Sequence, residues 1–407
     1  MTSRRRVVFL NRFYAPDFAA TAQMLSDLAE DLAVAGWEVW VIASQTTYDG
    51  QNEILPRSEL RGGVHVSRVG ASRFGRGKLL GRAVDYITYT VLACHALLRM
   101  PKPDAIVAMS DPPFVLAVVL LCARLRGARA VYWVQDIYPA LAAKLGVLKE
   151  TGLLYGFLNG LSTRLHKACD LVIALGPRMA QTMISAGASP DRTTYVHNWG
   201  DIEAISPVPQ GDNPFLAEHG LSGKFVVLYS GNAGRGHTFS TTCQVMDRLR
   251  LDDRVVFVFI GGGAKSAAIR SFAARAALPN VLFLDYLPRS ALRYSLSAAD
   301  VAFVTEEPCV AGLLVPSKTY GILASGRPII FIGSAESDVA QIVRDANCGV
   351  VIAHDDADAL EKTILHLATS PVECNRMGLA SRHAAEELFN RTRSTQEGGA
   401  ALAKLLR

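Results

Sequence analysis

The sequence lacks the features of an exported, metal-binding or membrane-spanning protein. Its seven cysteines include no C-x-x-C pair, the usual spacing of zinc and thiol redox sites. Polar Asn11 and Arg12 follow the short apolar segment 7–10, which is too short for the apolar region of a signal peptide. The longest apolar run, residues 114–123, falls short of the about 20 residues that cross a bilayer. These absences predict a cytoplasmic protein with reduced thiols.

Two recurrent catalytic motifs are also missing. The loop after the first apolar run has no G-x-G-x-x-G, so it gives little support for a dinucleotide site, and no G-x-S-x-G signals a serine hydrolase. The acidic pairs at 252–253 and 355–356 lie in polar, turn-like segments, so we assign no metal and expect no cofactor. The net charge is only +5, and we expect no nucleic-acid partner.

What the chain does have is enough apolar sequence for two domains. Half of its 407 residues are hydrophobic and 19% are charged, which suits a folded chain of two domains of roughly 200 residues each. Apolar runs at 6–10 and 39–43 flank a helical pattern at 21–34, and together they predict a β-α-β unit. Further strands are predicted at 64–69, 105–109, 130–133 and 171–174, and helices at 113–126 and 153–167.

A segment rich in Pro, Asp and Gly, residues 198–215, interrupts this alternation and predicts a linker. A second series follows, with strands predicted at 225–229, 255–260, 281–284, 301–304, 328–332 and 349–352. The fold class is therefore α/β, with two Rossmann-like domains. We place the N-terminal domain at 1–205, the C-terminal domain at 206–385, and at 386–407 a helix that can return to the first domain.

The second domain carries the candidate phosphate-binding loops. Gly231 and Asn232 follow its first strand and lead to Arg235, whose guanidinium suits phosphate oxygens. Ser317 and Lys318 follow Pro316 at a predicted helix start, where the helix dipole adds positive charge. Because ligands bind at the C-terminal ends of parallel strands, we add these neighbouring loop residues: Gly262, Tyr286, Leu287, Gly312 and Leu313.

The first domain supplies candidate residues for a second substrate. Ala19 and Ala20 lie in the loop after the first strand, where backbone amides at a helix start can face an anion. Gln135, Asp136 and Tyr138 end a strand, and Asp136 can orient a hydroxyl group or serve as a base. A turn or helix-capping role for Asp136 is an equally good interpretation.

A basic, partly apolar segment lies at 73–102. Such a segment can lie on anionic lipid as an amphipathic helix, or it can be an ordinary packed helix with a solvated basic edge. Both interpretations stay open. Its basic residues are Arg73, Arg76, Lys78, Arg82, Arg99 and Lys102.

Four segments, 8–17, 133–139, 229–235 and 315–328, resemble the family 4 glycosyltransferases of GT-B fold, above all the colanic-acid and capsule biosynthesis subgroup. The resemblance runs in order over nearly the whole chain, and Pro316-Ser317-Lys318 is its most specific part. It implies a retaining, usually metal-independent transferase with a deep interdomain cleft. The C-terminal domain would hold a nucleotide diphosphate sugar, UDP- or GDP-linked, and the N-terminal domain a glycan or lipid-linked acceptor. Arg235, Ser317 and Lys318 would contact the diphosphate, with Asp136, Arg235 and Lys318 as the catalytic set.

The chain departs from that family at three positions. Gly321 and Ala311 stand where relatives often carry glutamates, and Gln135 stands where several carry a histidine. Glu306 or Glu307 can replace a missing carboxylate, or the donor geometry differs. Two other functions therefore stay open beside sugar transfer: a nucleotide-sugar epimerase on the same fold, and a non-catalytic binding protein derived from a transferase.

Overall fold

The computed structural model describes residues 4–17, 19–47, 54–70, 72 and 79–407, except for the side chains of Leu79 and Leu80. The chain divides into two compact units. The first comprises the residues up to His197 together with Ser394–Arg407, and the second is Asn198–Arg393.

The first unit is built on an eight-stranded sheet of order β3-β4-β2-β1-β5-β6-β7-β8. All its neighbouring strands pair in parallel except β3 and β4, which are antiparallel. Its strands are β1 (Arg6–Leu10), β2 (Glu38–Ser44), β3 (Ser58–Arg61), β4 (Val64–Val69), β5 (Ala105–Ala108), β6 (Arg129–Trp133), β7 (Leu171–Ala174) and β8 (Thr193–Tyr195).

The helices of the first unit cover both faces of this sheet. They are α1 (Ala20–Val34), α2 (Leu79–Arg99), α3 (Val115–Arg126), α4 (Ala140–Lys144), α5 (Leu153–Ala168) and α6 (Pro177–Ser185). The strand order runs one way from β1 to β4 and the other way from β5 onward. Because crossover connections between parallel strands are right-handed, this reversal puts α2, α3 and α5 on the face opposite α1.

The second unit contains a six-stranded parallel sheet of order β11-β10-β9-β12-β13-β14. Its strands are β9 (Phe225–Ser230), β10 (Val255–Ile260), β11 (Val281–Leu284), β12 (Val301–Thr305), β13 (Ile329–Ile332) and β14 (Gly349–Ile352). Its helices are α7 (Pro214–Glu218), α8 (Ser240–Arg248), α9 (Ser266–Arg275), α10 (Leu292–Ser297), α11 (Lys318–Ala324), α12 (Asp338–Asp345), α13 (Ala357–Thr369) and α14 (Pro371–Glu387).

The central strands of both sheets are continuous apolar runs because helices cover them on both faces. In the first unit, Val7, Val8 and Phe9 of β1 are fully buried. In the second, Phe257 of β10 and Phe303 of β12 belong to one large apolar cluster. A sheet that is parallel except at β3 and a fully parallel sheet, each with helices in its crossovers, are two Rossmann-like units. The predicted fold class is therefore confirmed.

Two strands escaped the sequence prediction, which placed about six strands before residue 200. β3 is exposed at the sheet edge and has the sequence Ser-Glu-Leu-Arg, without a buried apolar face. β8 is only three residues long and has no buried residue. Neither strand carries the apolar pattern on which such predictions depend.

The segment predicted as a linker is hydrogen-bonded to the second unit. Arg382 donates from Nη1 to the carbonyl of Ile205 (2.9 Å) and from Nη2 to that of Ile202 (3.1 Å). Arg327 donates to the carbonyl of Val208 (3.0 Å). The unit boundary accordingly falls before Asn198 and not after residue 205.

The C-terminal segment 386–407 is not one helix. α14 ends at Glu387, and a new helix, α15, covers Arg391–Leu405. From Ser394 onward the chain belongs to the first unit. There the hydroxyl of Thr395 donates to Asp31 of α1 (2.8 Å), and Gly398 lies against Leu28.

Candidate functional site

The candidate donor loops meet at one edge of the second sheet. Strands β11, β10, β9 and β12 are consecutive neighbours and parallel. The loops that follow them therefore leave the sheet side by side at the C-terminal edge, where open α/β sheets bind ligands.

The loops after β9 and β10 are hydrogen-bonded to each other. The N–H of Gly231 donates to the carbonyl of Ile260 (2.9 Å), and the N–H of Ala233 donates to that of Gly262 (2.6 Å). Gly263 has φ +128°, and a Cβ at this position would lie 2.4 Å from Oδ1 of Asn232. Only glycine therefore fits at position 263, and the two loops form one surface.

Lys318, the first residue of α11, extends over this surface. Its ammonium lies 3.8 Å from the ring centroid of Tyr229, donates to the Tyr229 hydroxyl, and donates to the carbonyl of Asn232 (3.2 Å). Burial lowers the pKa of Lys318 well below its usual value. The ammonium is half-buried, and its contacts are an aromatic ring, a hydroxyl and a carbonyl, none of which carries a negative charge. Its positive charge is therefore only partly balanced, which favours the binding of an anion.

Two further cations lie on the same pair of loops. Arg235 is exposed and makes no ion pair or hydrogen bond with any residue that the structure describes. Lys265, which the sequence did not single out, follows the glycine loop after β10 and forms an ion pair with Glu307. The partner of Lys265 is 42 positions away in the sequence, so no local motif connects the two residues.

His237 is neutral at this edge. Burial, and then the nearby ammonium of Lys318, lower its pKa to about 3. Nδ1 of His237 faces the carbonyl of Thr305, so it carries the proton, and Nε2 is left as an acceptor. The loop therefore gains no third positive charge from this residue.

The remaining donor candidates lie around these loops. Tyr286 is exposed, and its ring packs against the backbone of Gly262, 3.2 Å from a Cβ built there. Leu287 is half-buried, whereas Gly312 and Leu313 are buried. This places an aromatic ring beside the glycine loop, a surface on which a nucleobase can stack.

The helix after Pro316 begins later than the sequence suggested. α11 starts at Lys318, so Ser317 occupies the cap position and lies outside the first turn. The exposed Ser317 hydroxyl makes no capping hydrogen bond. It therefore has its hydrogen-bonding capacity available at this edge.

Of the two glutamates that can replace the missing carboxylates, only Glu307 is accessible. Glu306 is fully buried, and neither of its oxygens makes a hydrogen bond of standard geometry with a residue that the structure describes. Burial raises the pKa of Glu306 to about 8, although the backbone of Ser334 and the hydroxyl of Ser337 act in the opposite direction. Glu306 is therefore largely uncharged at neutral pH.

In the first unit, Ser110 organises the predicted acceptor residues. Its hydroxyl, just after β5, accepts the backbone N–H of Gln135 (2.8 Å) and that of Asp136 (3.2 Å) after β6. The Gln135 side chain is buried and its Nε2 has no partner among the described residues. Burial, and then the neighbouring carboxylate of Asp111, raise the pKa of Asp136 to about 6. A carboxylate with this pKa is suited to accept a proton near neutral pH.

Tyr138 is half-buried near the same carboxylates. Burial raises its pKa, and Asp136 and Asp111 raise it further, so its hydroxyl is a neutral donor. Arg82 and Tyr86 of α2 lie near enough to act on it as well. The structure thus brings the predicted residues after β6 together with α2.

The sequence prediction missed Arg12 at the end of β1. Arg12 is 9% exposed, and its guanidinium lies over the rings of Phe13 and Tyr86. Nε of Arg12 is buried without a partner among the described residues. A buried guanidinium of this kind normally pairs with an anion, and Arg12 therefore extends the candidate acceptor site.

Ala19 and Ala20 lie where the sequence put them, at the start of α1, which begins at Ala20. Ala19 is buried, and its N–H donates to Oδ1 of Asp17 (3.0 Å). That amide is therefore not free to meet an anion. Ala20 is exposed.

Part of the basic segment lies outside the described residues, namely Arg73, Arg76 and Lys78. Arg82 is half-buried, and Arg99 and Lys102 are exposed.

Across the ranges that the structure describes, no helix combines the length and apolarity needed to cross a membrane. In the same ranges, no three His, Cys, Asp or Glu side chains are grouped to hold a metal ion.

Comparisons with known proteins show the family of the chain. The glycosyl transferase 4-like domain matches residues 20–199, and the glycosyl transferases group 1 family matches residues 215–384. WbjE of Pseudomonas aeruginosa, described as a glycosyltransferase, is 25% identical over 82% of this chain and 83% of its own. WcaI of Escherichia coli K12, described as a colanic acid biosynthesis glycosyl transferase, is 26% identical over 81% of this chain and 83% of its own.

The fold is shared with a solved structure. HepE of Anabaena, in complex with UDP and glucose, superimposes with a TM-score of 0.74 at 15% identity and covers 98% of this chain and 100% of its own. Both halves of the chain match glycosyltransferase domains, and both form Rossmann-like units. The chain belongs to the family 4 glycosyltransferases of GT-B fold.

Proposed function

We propose that this enzyme is a retaining, metal-independent glycosyltransferase acting in bacterial cell-surface polysaccharide biosynthesis. Its donor is a UDP- or GDP-linked sugar, and its acceptor is a glycan or a lipid-linked saccharide. The family resemblance supports retention of configuration and metal independence. The colanic acid role given to WcaI supports the pathway class, and the UDP bound to HepE supports a nucleotide donor.

The observation that carries the proposal is the position of Lys318. Its ammonium lies over Tyr229 and the carbonyl of Asn232, and burial lowers its pKa with no carboxylate contributing. A bound diphosphate supplies the negative charge that Lys318 lacks. The guanidinium of Arg235 offers coplanar N–H donors to the phosphate oxygens. Charge that develops on the leaving diphosphate is then stabilised by groups already in place.

The proposed acceptor site lies in the first unit. Asp136 accepts the proton of the attacking hydroxyl or orients that hydroxyl, while Tyr138 and Gln135 donate hydrogen bonds to the acceptor.

The proposal includes peripheral contact with anionic membrane at the cytoplasmic face, where a lipid-linked acceptor would be found. It includes no nucleic-acid partner.

The test is donor turnover by Lys318→Ala. We expect the release of nucleotide from the preferred UDP- or GDP-sugar to fall by about a hundredfold or more, as when one transition-state donor is removed. The melting temperature should stay close to that of the wild type. Lys362→Ala is the control, because Lys362 is an exposed lysine on α13 of the same unit.

Three outcomes would overturn parts of the proposal. An unchanged rate in Lys318→Ala would reject the donor site. A change in the configuration of the sugar when the donor is incubated alone, followed by NMR, would identify an epimerase. A product of inverted anomeric configuration would reject retention.

A further inference from the structure

Three neighbouring helices of the first unit expose large apolar side chains. On α5, Leu153 is 95% exposed and Phe157 is 69% exposed. On α2, Ile87 is 63% exposed, and on α3, Leu125 is 64% exposed. Single exposed apolar residues are ordinary, but several on adjacent helices indicate an interaction surface.

These side chains belong to one side of the unit. α2, α3 and α5 lie on the same face of the sheet, α2 packs against α3, and α3 packs against α5. Arg126 of α3 donates to the carbonyls of Leu98 (2.5 Å) and Met100 (2.5 Å) at the end of α2, which fixes the two helices together. We call the outward side of these helices the α2–α3–α5 face.

The charged side chains of these three helices are almost all positive. The only acidic residue in the three helices is Asp85, which is 2% exposed and accepts a hydrogen bond from Ser72 (2.7 Å). The same helices contain six lysines and arginines: Arg82, Arg99, Arg124, Arg126, Arg164 and Lys167. Exposed apolar residues among cations, with no exposed carboxylate in the three helices themselves, complement a surface of anionic headgroups over acyl chains.

We propose that the α2–α3–α5 face lies on an anionic bilayer, with the first turn of α5 inserted at the level of the headgroups. Leu153, Leu154 and Phe157 enter the boundary of the acyl chains. The basic residues that contact lipid phosphates are the four exposed ones: Arg99, Arg124, Arg164 and Lys167. This inference rests on the proposed function, because it assigns the acceptor to a lipid-linked saccharide. It also extends the sequence prediction, which considered only residues 73–102, to α3 and α5.

The experiment is flotation of the full chain with vesicles of phosphatidylcholine containing phosphatidylglycerol. We expect binding that falls as salt rises, because exposed charges are screened. Leu153→Glu/Phe157→Glu should lower the partition constant by about a hundredfold, since each buried large apolar side chain contributes about tenfold or more. Leu251→Glu/Val372→Glu, at equally exposed apolar positions of the second unit, should bind as the wild type does.

Four results would overturn the inference. They are no binding of the wild type to these vesicles, equal binding of all variants, an equal loss in the control variant, and a wild-type dimer that the α5 variant turns into a monomer. Both variants must melt as the wild type does, which is expected because all four positions are exposed. The Tm increase with nucleotide, measured without vesicles, reports on the donor site separately. Failure of the membrane inference is therefore distinguishable from failure of the proposed function.

Discussion

Lys318 and Asp136 each have a pKa that is shifted by burial, and the two shifts suit different tasks. Burial lowers the pKa of Lys318, and burial together with the charge of Asp111 raises that of Asp136 to about 6. In both residues burial disfavours the charged form. At Lys318 a bound diphosphate would favour the charged form and so raise the pKa again. At Asp136 a raised pKa makes the carboxylate a better acceptor for the proton of a hydroxyl group.

The pKa of Asp136 predicts an acidic limit to activity. Because the ionised carboxylate is the active form, kcat/KM should fall as the pH drops below about 6. Asp136→Asn should remove this limb and lower kcat by about a hundredfold or more. The measurement is the pH profile of sugar transfer.

Asp111→Asn is the informative companion variant. Asp111 raises the pKa of Asp136 through its own charge. Its removal should move the acidic limb to lower pH. An acidic limb that survives in Asp136→Asn would contradict the assignment.

Local sequence indicated some of the candidate site residues and gave no sign of others. Asp136 and Lys318 follow apolar runs in short motifs, so the sequence alone was enough to select them as candidates. Lys265 and Arg12 escaped because their roles depend on distant neighbours, namely Glu307 and the ring of Tyr86. Such pairs come together only when the sheet forms.

At the scale of the element, the loops after β9 and β10 act as one unit. Their backbones exchange hydrogen bonds, and Gly263 lies 2.6 Å, measured from a Cβ built there, from the carbonyl of Ala233. Glycine is needed at this position for both its space and its positive φ.

Gly263→Ala should therefore destabilise the second unit by about 1–3 kcal/mol, a fall in Tm of at least about 2 °C. Gly211→Ala is the control, since no described atom lies within 4 Å of a Cβ built at Gly211 and its φ is ordinary. Thermal unfolding of both variants is the measurement. Equal stability of the two would show that the loops can separate without cost.

Elements were predictable where burial imposed a pattern. β10 and β14 have the predicted bounds because each is a short, apolar run between turns. β3 and β8 lack such a run, and α11 began two residues after Pro316 because cap positions depend on backbone geometry. The ends of helices and strands are therefore harder to predict from sequence than the elements themselves.

At the scale of the whole molecule, each unit carries its polar site at the C-terminal edge of a parallel sheet. The second unit gathers cations there, on Arg235, Lys265 and Lys318. The first unit gathers carboxylates there, on Asp111 and Asp136. This division matches a donor that leaves as an anion and an acceptor that gives up a proton.

The number and kind of domains followed from sequence, since two series of apolar strands flank an irregular segment. The sequence also allowed the C-terminal segment to return to the first domain, and from Ser394 onward the chain does belong to the first unit. The residues that it contacts there did not follow from sequence, because α15 has no feature of its own that identifies its partner. Its contacts, such as Thr395 with Asp31, join residues from opposite ends of the chain.

The central claim, a nucleotide diphosphate site on the second unit, is tested most directly by a thermal-shift panel with UDP, GDP, ADP and TDP. A ligand that binds only the folded state raises the Tm. We predict a rise with UDP or GDP in the wild type and its loss in Arg235→Ala/Lys318→Ala. No rise with any nucleotide, or an equal rise in the double variant, would contradict the account.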